Sequence, residues 1–523
     1  MRRRKAGVAI YTREEYNHFP AASLCEPLPQ KRSFEIKMVF SSLSFLTLFL
    51  PGVLSASWLL GWLARRRGEG VWRAGNAILL LASLLFYFWS EGPGVLLLLA
   101  SIAANASFGQ VLSRLRGGTA RRALLTAAIA TNLAALVVFK YSGFLAASAN
   151  GLLGASLPIP RLALPLGISF YTFQAMSYVI DVYRGDVRPP RSPLDFACYI
   201  AMFPQLVAGP IVRFSDVAAA LRARRVDLAR IASGMRRLLA GLAKKVVLAN
   251  TVADFADRAW ATTGDGAGLP PSLAWLALVC YTLQIYFDFS GYSDMAIGIG
   301  RMLGFDFPEN FNLPYIAKSV REFWRRWHIT LSSWFRDYLY IPLGGGRRSP
   351  ARTSLNVLVV FGLCGLWHGA GTMFLLWGLW HGLWVVAERL APWRLGETRV
   401  ARAIAHVRTL AAVMGGWILF RSDSLAEAWL FIRSLAGRAP VAPEARALAI
   451  DAGAMLFFAV AAGILLSTGV PAAAWARLAG ALRRRGLAGV PRAIEWGALT
   501  AAALLALLLI AGGSYNPFIY FRF

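Results

Sequence analysis

The chain has 523 residues, of which 57% are hydrophobic and only 16% charged, with a mean hydropathy of +0.52; this excludes an ordinary water-soluble globular protein. Its 55 Lys and Arg against 27 Asp and Glu leave a net charge of +28, and in so apolar a chain that excess marks cytoplasmic loops between membrane spans, not a nucleic-acid surface. Four cysteines are too few for a disulfide framework, and Cys198, Cys280 and Cys364 stand in apolar runs where a thiol acts as a small hydrophobe, so no metal or redox role is assigned to them.

Residues 1 to 37 carry mixed charges and prolines and lack the continuous apolar core of a signal peptide. They precede MVFSSLSF, which reads as a start before a first span, so the expectation is a native start at Met38; the alternative is a disordered cytoplasmic tail. A helix needs about 20 mostly apolar residues to cross the hydrocarbon. Candidates follow at Phe40 to Leu63, Gly75 to Trp89, Val95 to Leu112, Ala123 to Phe139 and Leu164 to Tyr183, then at Leu273 to Ile299, Thr353 to Trp367, Met373 to Ala387, Thr409 to Phe420, Ile450 to Leu466 and Ala493 to Ala511.

Arg-rich clusters between these runs alternate with poorer loops, which requires a further, weak crossing between Leu238 and Phe255 despite Lys244, Lys245 and Asp254. The expectation is an all-α, polytopic integral membrane protein: about a dozen transmembrane or re-entrant helices in a single domain over residues 38 to 523, with both ends outside. Phe196 to Val212, apolar but broken by Pro204 and Pro210, reads as a re-entrant element. Val217 to Lys245 alternates apolar residues with Arg at helical spacing, the pattern of a helix lying on a membrane surface. There is no internal repeat of the kind that marks inverted-repeat transporters.

Signatures of soluble catalysis are missing: no GxxxxGK[ST], HExxH, GxSxG or CxxC. The five histidines are therefore informative, because an ionisable group inside an apolar span is costly. His18 lies in the extension and His406 in an Arg-rich loop, where both read as solvated. His368, in LCGLWHGAGT, sits in a stretch from Thr353 to Ala387 without a single Asp, Glu, Lys or Arg. Such an imidazole either does chemistry, lines a wet cavity or is a satisfied packing group, and glycines 365, 369 and 371 leave room for a substrate or another backbone.

His381, between Trp377 and Trp384, reads as structural or pore-lining. On a helical wheel of about 100° per residue, Phe323 to Ile341 places Trp324, Trp327 and His328 on the apolar half and Arg325, Arg326, Arg336 and Asp337 on the other. His328 thus points inward. Asp288 and Asp294, in YFDFSGYSDM, are either site residues or partners for buried donors. Two inward histidines without metal-ligand spacing suit proton transfer to or from a hydroxyl better than metal hydrolysis.

From Met38 onward the chain resembles the membrane-bound O-acyltransferases, in particular the branch that acetylates bacterial polysaccharides such as alginate. The resemblance is carried in order by MVFSSLSFL at Met38, LPLGISFYTFQAMSYVIDVYRG from Leu164, FPQLVAGPIVRF from Phe203, YFDFSGYSDMAIGIGRMLGFDFPENFNLPY from Tyr286, REFWRRWHITLSSWFRDYLYIPLGG from Arg321, GLWHGAG from Gly365 and the terminal NPFIYFRF. It implies helices around a tunnel, His368 as the catalytic residue and His328 as the second signature residue. Trp324, Trp327, Arg325, Asp288, Asp294, Trp367 and His381 become candidates for the tunnel or substrate site, with no metal.

The resemblance further implies no bound cofactor. The acyl donor is a cytoplasmic thioester, acetyl-CoA or another acetyl thioester; Arg325, Arg326 and Lys318 either steer it or hold their helix to anionic lipid. Its partners are membrane lipid, an exported acetyltransferase and a polysaccharide synthesis complex in a bacterial inner membrane, without nucleic acid. Related branches acetylate peptidoglycan or cellulose or transfer D-alanine toward teichoic acid. From a different class, a polysaccharide or lipid transporter, or a non-catalytic scaffold, remains open at this level.

Overall fold

A computed structural model describes residues 38–67, 71–160, 162–263, 266–391, 398–513 and 515–516. The expected extension at 1 to 37, His18 with it, and the end of the terminal NPFIYFRF lie outside the described residues. Among those described there is no β-strand, only an isolated bridge between Gly268 and Val441. Helices dominate because in lipid an α-helix satisfies every backbone polar group within its own segment.

A π-helical turn at Phe45–Phe49 leads into α1 (Leu50–Arg67). α2 (Val71–Glu91) and α3 (Val95–Arg114) follow each other through one 3-10 turn at Gly92–Gly94. The two spans expected at Gly75 to Trp89 and Val95 to Leu112 thus form one helical stretch of 43 residues, Trp72–Arg114. α4 (Gly118–Leu136), a π turn at Val137–Tyr141 and α5 (Ser142–Leu153) form another, of 36 residues. α6 (Ile168–Arg184) is buried along nearly its whole length. α7 (Pro193–Ala201) and α8 (Phe203–Leu206) are followed by non-helical residues 207–213, all buried apart from Arg213. The broken backbone expected at Phe196 to Val212 is therefore enclosed by protein, with Tyr199 Oη donating to the Val212 carbonyl at 3.0 Å and Phe203 N to Ser83 Oγ at 3.1 Å.

After α9 (Phe214–Arg222) comes α10 (Leu228–Ala243), which runs through a π turn at Lys244–Ala249 into α11 (Asn250–Ala261). α12 (Pro271–Met302) is the long central helix, its residues 280–300 continuously buried. α13 (Val320–Arg326) and α14 (Ile329–Phe335) precede a π turn at Arg336–Tyr340. α15 (Pro350–His368) and α16 (Thr372–Leu390) form a hairpin, and α17 (Arg399–Arg421), α18 (Leu425–Leu435) and α19 (Ala445–Ile450) follow. α20 (Ala454–Ser467) and α21 (Val470–Arg484) are bent 70° to each other before α22 (Gly489–Ala511). Among the described residues seven helical stretches are long and apolar enough to cross a membrane, or eight with the bent pair counted as one span.

α10 is not the surface helix that its Arg periodicity suggested. It packs along α12 with backbones in contact, because glycines seven apart on each helix face one another: a Cβ on Gly234 would lie 2.5 Å from the Gly298 carbonyl oxygen, and one on Gly241 would lie 2.6 Å from that of Gly291. Small residues are what close helix packing in a membrane requires. The basic side chains that made this stretch a weak span are neutralised by α12. Lys244 pairs with Asp294 at 2.6 Å, Arg237 with Asp294 at 2.8 Å, and the fully buried Lys245 with Asp288 at 2.7 Å. Both aspartates are thus partners for basic side chains of the neighbouring helical segment.

Candidate active site

His328 does not sit within a continuous amphipathic helix. The helix expected over Phe323 to Ile341 breaks at Trp327, and His328 adopts a left-handed backbone (φ 42°, ψ 55°) as the N-cap of α14. That conformation is costly for most side chains and less so for histidine. It is held by Asn310: Ile329 N donates to the Asn310 carbonyl at 2.9 Å, while Thr330 N and Oγ1 donate to Asn310 Oδ1 at 3.3 and 2.9 Å. The imidazole still points inward and is completely buried, with Phe289 edge-on at 4.7 Å between centroids.

The Thr330 backbone amide must donate, so the atom it meets on Asn310 is the amide oxygen; Asn310 Nδ2 then donates to Ser293 Oγ at 3.1 Å. His328 Nδ1, 3.1 Å from the same oxygen, therefore carries the proton, and Nε2 of the neutral ring bears the lone pair. Nε2 has no hydrogen-bond partner among the described residues. A lone pair at Nε2 makes neutral His328 a hydrogen-bond acceptor.

His368 is the last residue of α15, buried at 5% exposure, with its ring centroid 6.3 Å from that of His328. Trp367 lies beside both, 5.9 Å from His328 and 5.0 Å from His368, and Trp377 and Phe420 close the other side at 5.0 and 5.6 Å. The glycines around His368 serve the backbone: a Cβ on Gly365 would lie 2.2 Å from the Phe374 carbonyl oxygen, and one on Gly378 2.2 Å from that of Phe361, so α15 and α16 meet main chain to main chain. Indole N–H groups of Trp324, Trp367 and Trp377 are buried without hydrogen-bond partners among the described residues. Unsatisfied buried donors are expensive, and their concentration beside two imidazoles leaves several polar groups available to a polar ligand or water.

Next to these groups opens a cavity of about 650 Å³. Arg321, Arg325, Arg336 and Arg389 line it together with Trp324, Phe361 and Cys364; Cys364 lies one helical turn before His368 on α15. Arg336 is paired with Asp337 at 2.6 Å, whereas the other three guanidinium groups have no carboxylate partner among the described residues. A guanidinium fork matches phosphate or carboxylate geometry, so this wall fits an anionic ligand. One wall is held by Glu388, whose carboxylate accepts from Val320 N and Arg321 N at 2.7 and 3.1 Å and so caps α13.

Of the residues singled out in the sequence, His328, His368, Trp367 and Trp324 come together here, and Arg325 lies on the cavity wall. His381 is adjacent through rings: Trp377 separates it from His368, 5.3 Å from His381, and Trp324 packs on it at 5.3 Å. Trp327 packs behind the site against Trp417 at 5.1 Å. Asp288 and Asp294 are engaged in ion pairs instead. Sequence reasoning missed Asn310, although it lies in the quoted PENFNLPY, because no periodicity distinguishes a loop asparagine. It also missed Lys140, which its isolation in an otherwise uncharged run would have flagged.

Residues 188–393 match the family model for the membrane-bound O-acyltransferases; the stretch contains both histidines and the arginine-lined cavity. The chain is 42% identical over 402 residues to the Pseudomonas aeruginosa protein named probable alginate O-acetylase AlgI, covering 75% of this chain and 74% of that protein. An Azotobacter vinelandii protein of the same name is 42% identical over 75% of this chain and 77% of its own length. The peptidoglycan O-acetyltransferase of Helicobacter pylori is 33% identical over 69% of this chain and 73% of its own length. With an all-helical architecture and relatives aligned over most of both chains, this multi-pass membrane protein is an acyltransferase and belongs to the membrane-bound O-acyltransferase family.

Proposed function

We propose that this protein moves acetyl groups from a cytoplasmic acetyl thioester to hydroxyls of an extracytoplasmic polysaccharide, alginate or a similar exopolysaccharide, in a bacterial inner membrane. The observation that carries this reading is the buried pair of imidazoles 6.3 Å apart beside a cavity walled by three unpaired guanidiniums. The names of the relatives at 42% identity add the acetyl group and the polysaccharide.

In this reading the anionic part of the donor, the phosphates of coenzyme A or of a carrier-borne pantetheine, lies on Arg321, Arg325 and Arg389, and its thioester reaches past Trp324 toward His368. Neutral His368 takes the proton of the acceptor hydroxyl as the oxygen attacks the thioester carbonyl, a contribution of about 10² to 10⁴ in rate. The tetrahedral intermediate collapses with loss of the C–S bond, and the proton passes to the leaving thiolate. His328 acts through its Nε2 lone pair, accepting a hydrogen bond from a neighbouring hydroxyl of the acceptor or from a bridging water. Unpaired indole N–H groups are the donors available to the developing oxyanion.

Residues 38 to 523 form the catalytic membrane unit in this proposal, with both ends on the outer side and residues 1 to 37 outside it. An exported acetyltransferase and a polysaccharide synthesis complex complete the transfer. The test is a deletion strain complemented with wild type or His368→Ala, with O-acetyl esters quantified separately in exopolysaccharide and in peptidoglycan muropeptides. Loss from exopolysaccharide, restored by wild type alone, is the expected result. Loss confined to muropeptides would move the acceptor to peptidoglycan, which the Helicobacter pylori relative favours; unchanged acetyl in both pools would overturn the proposal.

A further inference from the structure

His368 is a helix-terminal residue, and a helix end has no bonds of its own to hold it. The last four carbonyls of an α-helix lack intrahelical partners, and beyond His368 the chain continues through Gly369, Ala370 and Gly371, whose two glycines add no stiffness. Three carbonyls at this end are nevertheless bound, all by one π-helical turn of another helix. Lys140 Nζ donates to the Trp367 carbonyl at 2.5 Å, to Ser169 Oγ at 3.1 Å and to the His368 carbonyl at 3.5 Å. Tyr141 Oη donates to the Leu366 carbonyl at 2.8 Å. The three N–H bonds of the ammonium thus meet three oxygens, and the ammonium also stands 5.9 Å from the centroid of the Trp367 ring.

We propose that Lys140 is a positioning residue for acyl transfer: with Tyr141 it clamps the C-terminal carbonyls of α15 and so fixes the His368 imidazole against the acceptor hydroxyl.

The placement of the charge argues for this. Lys140 is the single charged residue between Arg122 and Arg161, and an ammonium within a membrane stretch is costly unless something requires it. Among the described residues it has no carboxylate partner, so its charge is spent on the carbonyls of Trp367 and His368. That is the negative end of the α15 dipole, where a cation is stabilising. The π turn at Val137–Tyr141 is the device that delivers it: one extra residue in the turn brings Lys140 and Tyr141 in succession against the same helix end, and such bulges collect at functional sites. Displacing a reacting group by about 1 Å costs on the order of 10²-fold in rate, so a clamp on its backbone is worth as much as a contact to its ring.

This inference rests on the reading of His368 as the base, and the experiment separates the two. In the complemented deletion strain, at matched membrane abundance, Lys140→Met is expected to lower O-acetyl content about 10-fold or more, Lys140→Arg to retain a substantial part, and Tyr141→Phe to lose less than Lys140→Met. Lys140→Cys is expected to be inactive until treated with 2-bromoethylamine, which restores an ammonium at the same distance, and to stay inactive with the neutral 2-bromoethanol; wild type carried through the same alkylation reports on the other thiols. A purely structural role predicts equal rescue by both reagents, or a loss matched by loss of folded protein, and either overturns the proposal, as does wild-type acetylation by Lys140→Met. If His368→Ala is inactive while Lys140→Met is not, this inference alone fails. If His368→Ala retains acetylation, the reading of the base fails with it.

Discussion

Asn310 Oδ1 stands 3.1 Å from His328 Nδ1, and that single contact decides which nitrogen of the imidazole keeps the lone pair. The same oxygen receives Thr330 N and Thr330 Oγ1, and Thr330 Oγ1 in turn accepts from Ile211 N at 3.0 Å in the buried segment after α8. A loop asparagine therefore couples the tautomer of one histidine to the irregular backbone behind it. Asn310→Ala is expected to lower acetylation about 10-fold, since each buried group left unpaired costs about 1–3 kcal/mol. Asn310→Asp, which keeps the acceptor oxygens, is expected to lose less. O-acetyl content at matched abundance measures this, and an alanine variant at wild-type level would sink the assignment of the tautomer to Asn310.

The glycine seam between α10 and α12 predicts a steric threshold. Gly241→Val or Gly298→Val would drive a side chain into a backbone carbonyl already 2.6 Å from the first carbon, and overpacking of this kind costs about 1–3 kcal/mol or more. Gly497→Ala in α22, with nothing within 4 Å of the added carbon, is expected to be neutral or stabilising by about 0.5–1 kcal/mol, as for any exposed helical glycine. Thermal midpoints of the three variants in detergent provide the comparison.

Lys245 and Asp288 form an ion pair with side-chain exposures of 2% and 4%, and Lys245 also donates to Asn250 Oδ1 at 2.8 Å. Removing one partner leaves the other charge buried, which costs about 3–5 kcal/mol. Lys245→Met is therefore expected to reduce the folded fraction in the membrane sharply. Lys245→Met combined with Asp288→Leu is expected to recover much of it, because an apolar pair of similar volume is often no worse than a buried ion pair. Equal losses in the single and double variants would argue against charge as the cause.

Arg325 and Arg389, on the cavity wall, are expected to act on donor affinity and leave chemistry alone. Arg325→Ala with Arg389→Ala should raise KM for the acetyl thioester about 30-fold or more with kcat nearly unchanged, if each lost charge-assisted contact is worth about 1 kcal/mol or somewhat more. The salt dependence of kcat/KM should flatten in parallel, since screening acts on the charges that were removed. Initial rates in membrane vesicles at two ionic strengths test both effects together.

Apolar run length and the scarcity of charge determined a good part of this protein from sequence alone. They place the helices in the membrane, because lipid leaves the backbone few alternatives, and they single out His328 and His368, because a buried imidazole in an uncharged run must be accounted for. What tertiary structure decided was the use of each polar group. Helical periodicity carried His328 inward but could not show the break at Trp327, since a left-handed residue is stabilised by Asn310, a neighbour 18 positions away. Arginine spacing made α10 look like a surface helix, whereas its glycines seat it on α12 and the aspartates of α12 neutralise its cations. Lys140 meets the carbonyl of His368 across 228 positions of chain: its isolation was visible in the sequence, but only the packing of two helices reveals that its charge is directed at the end of α15.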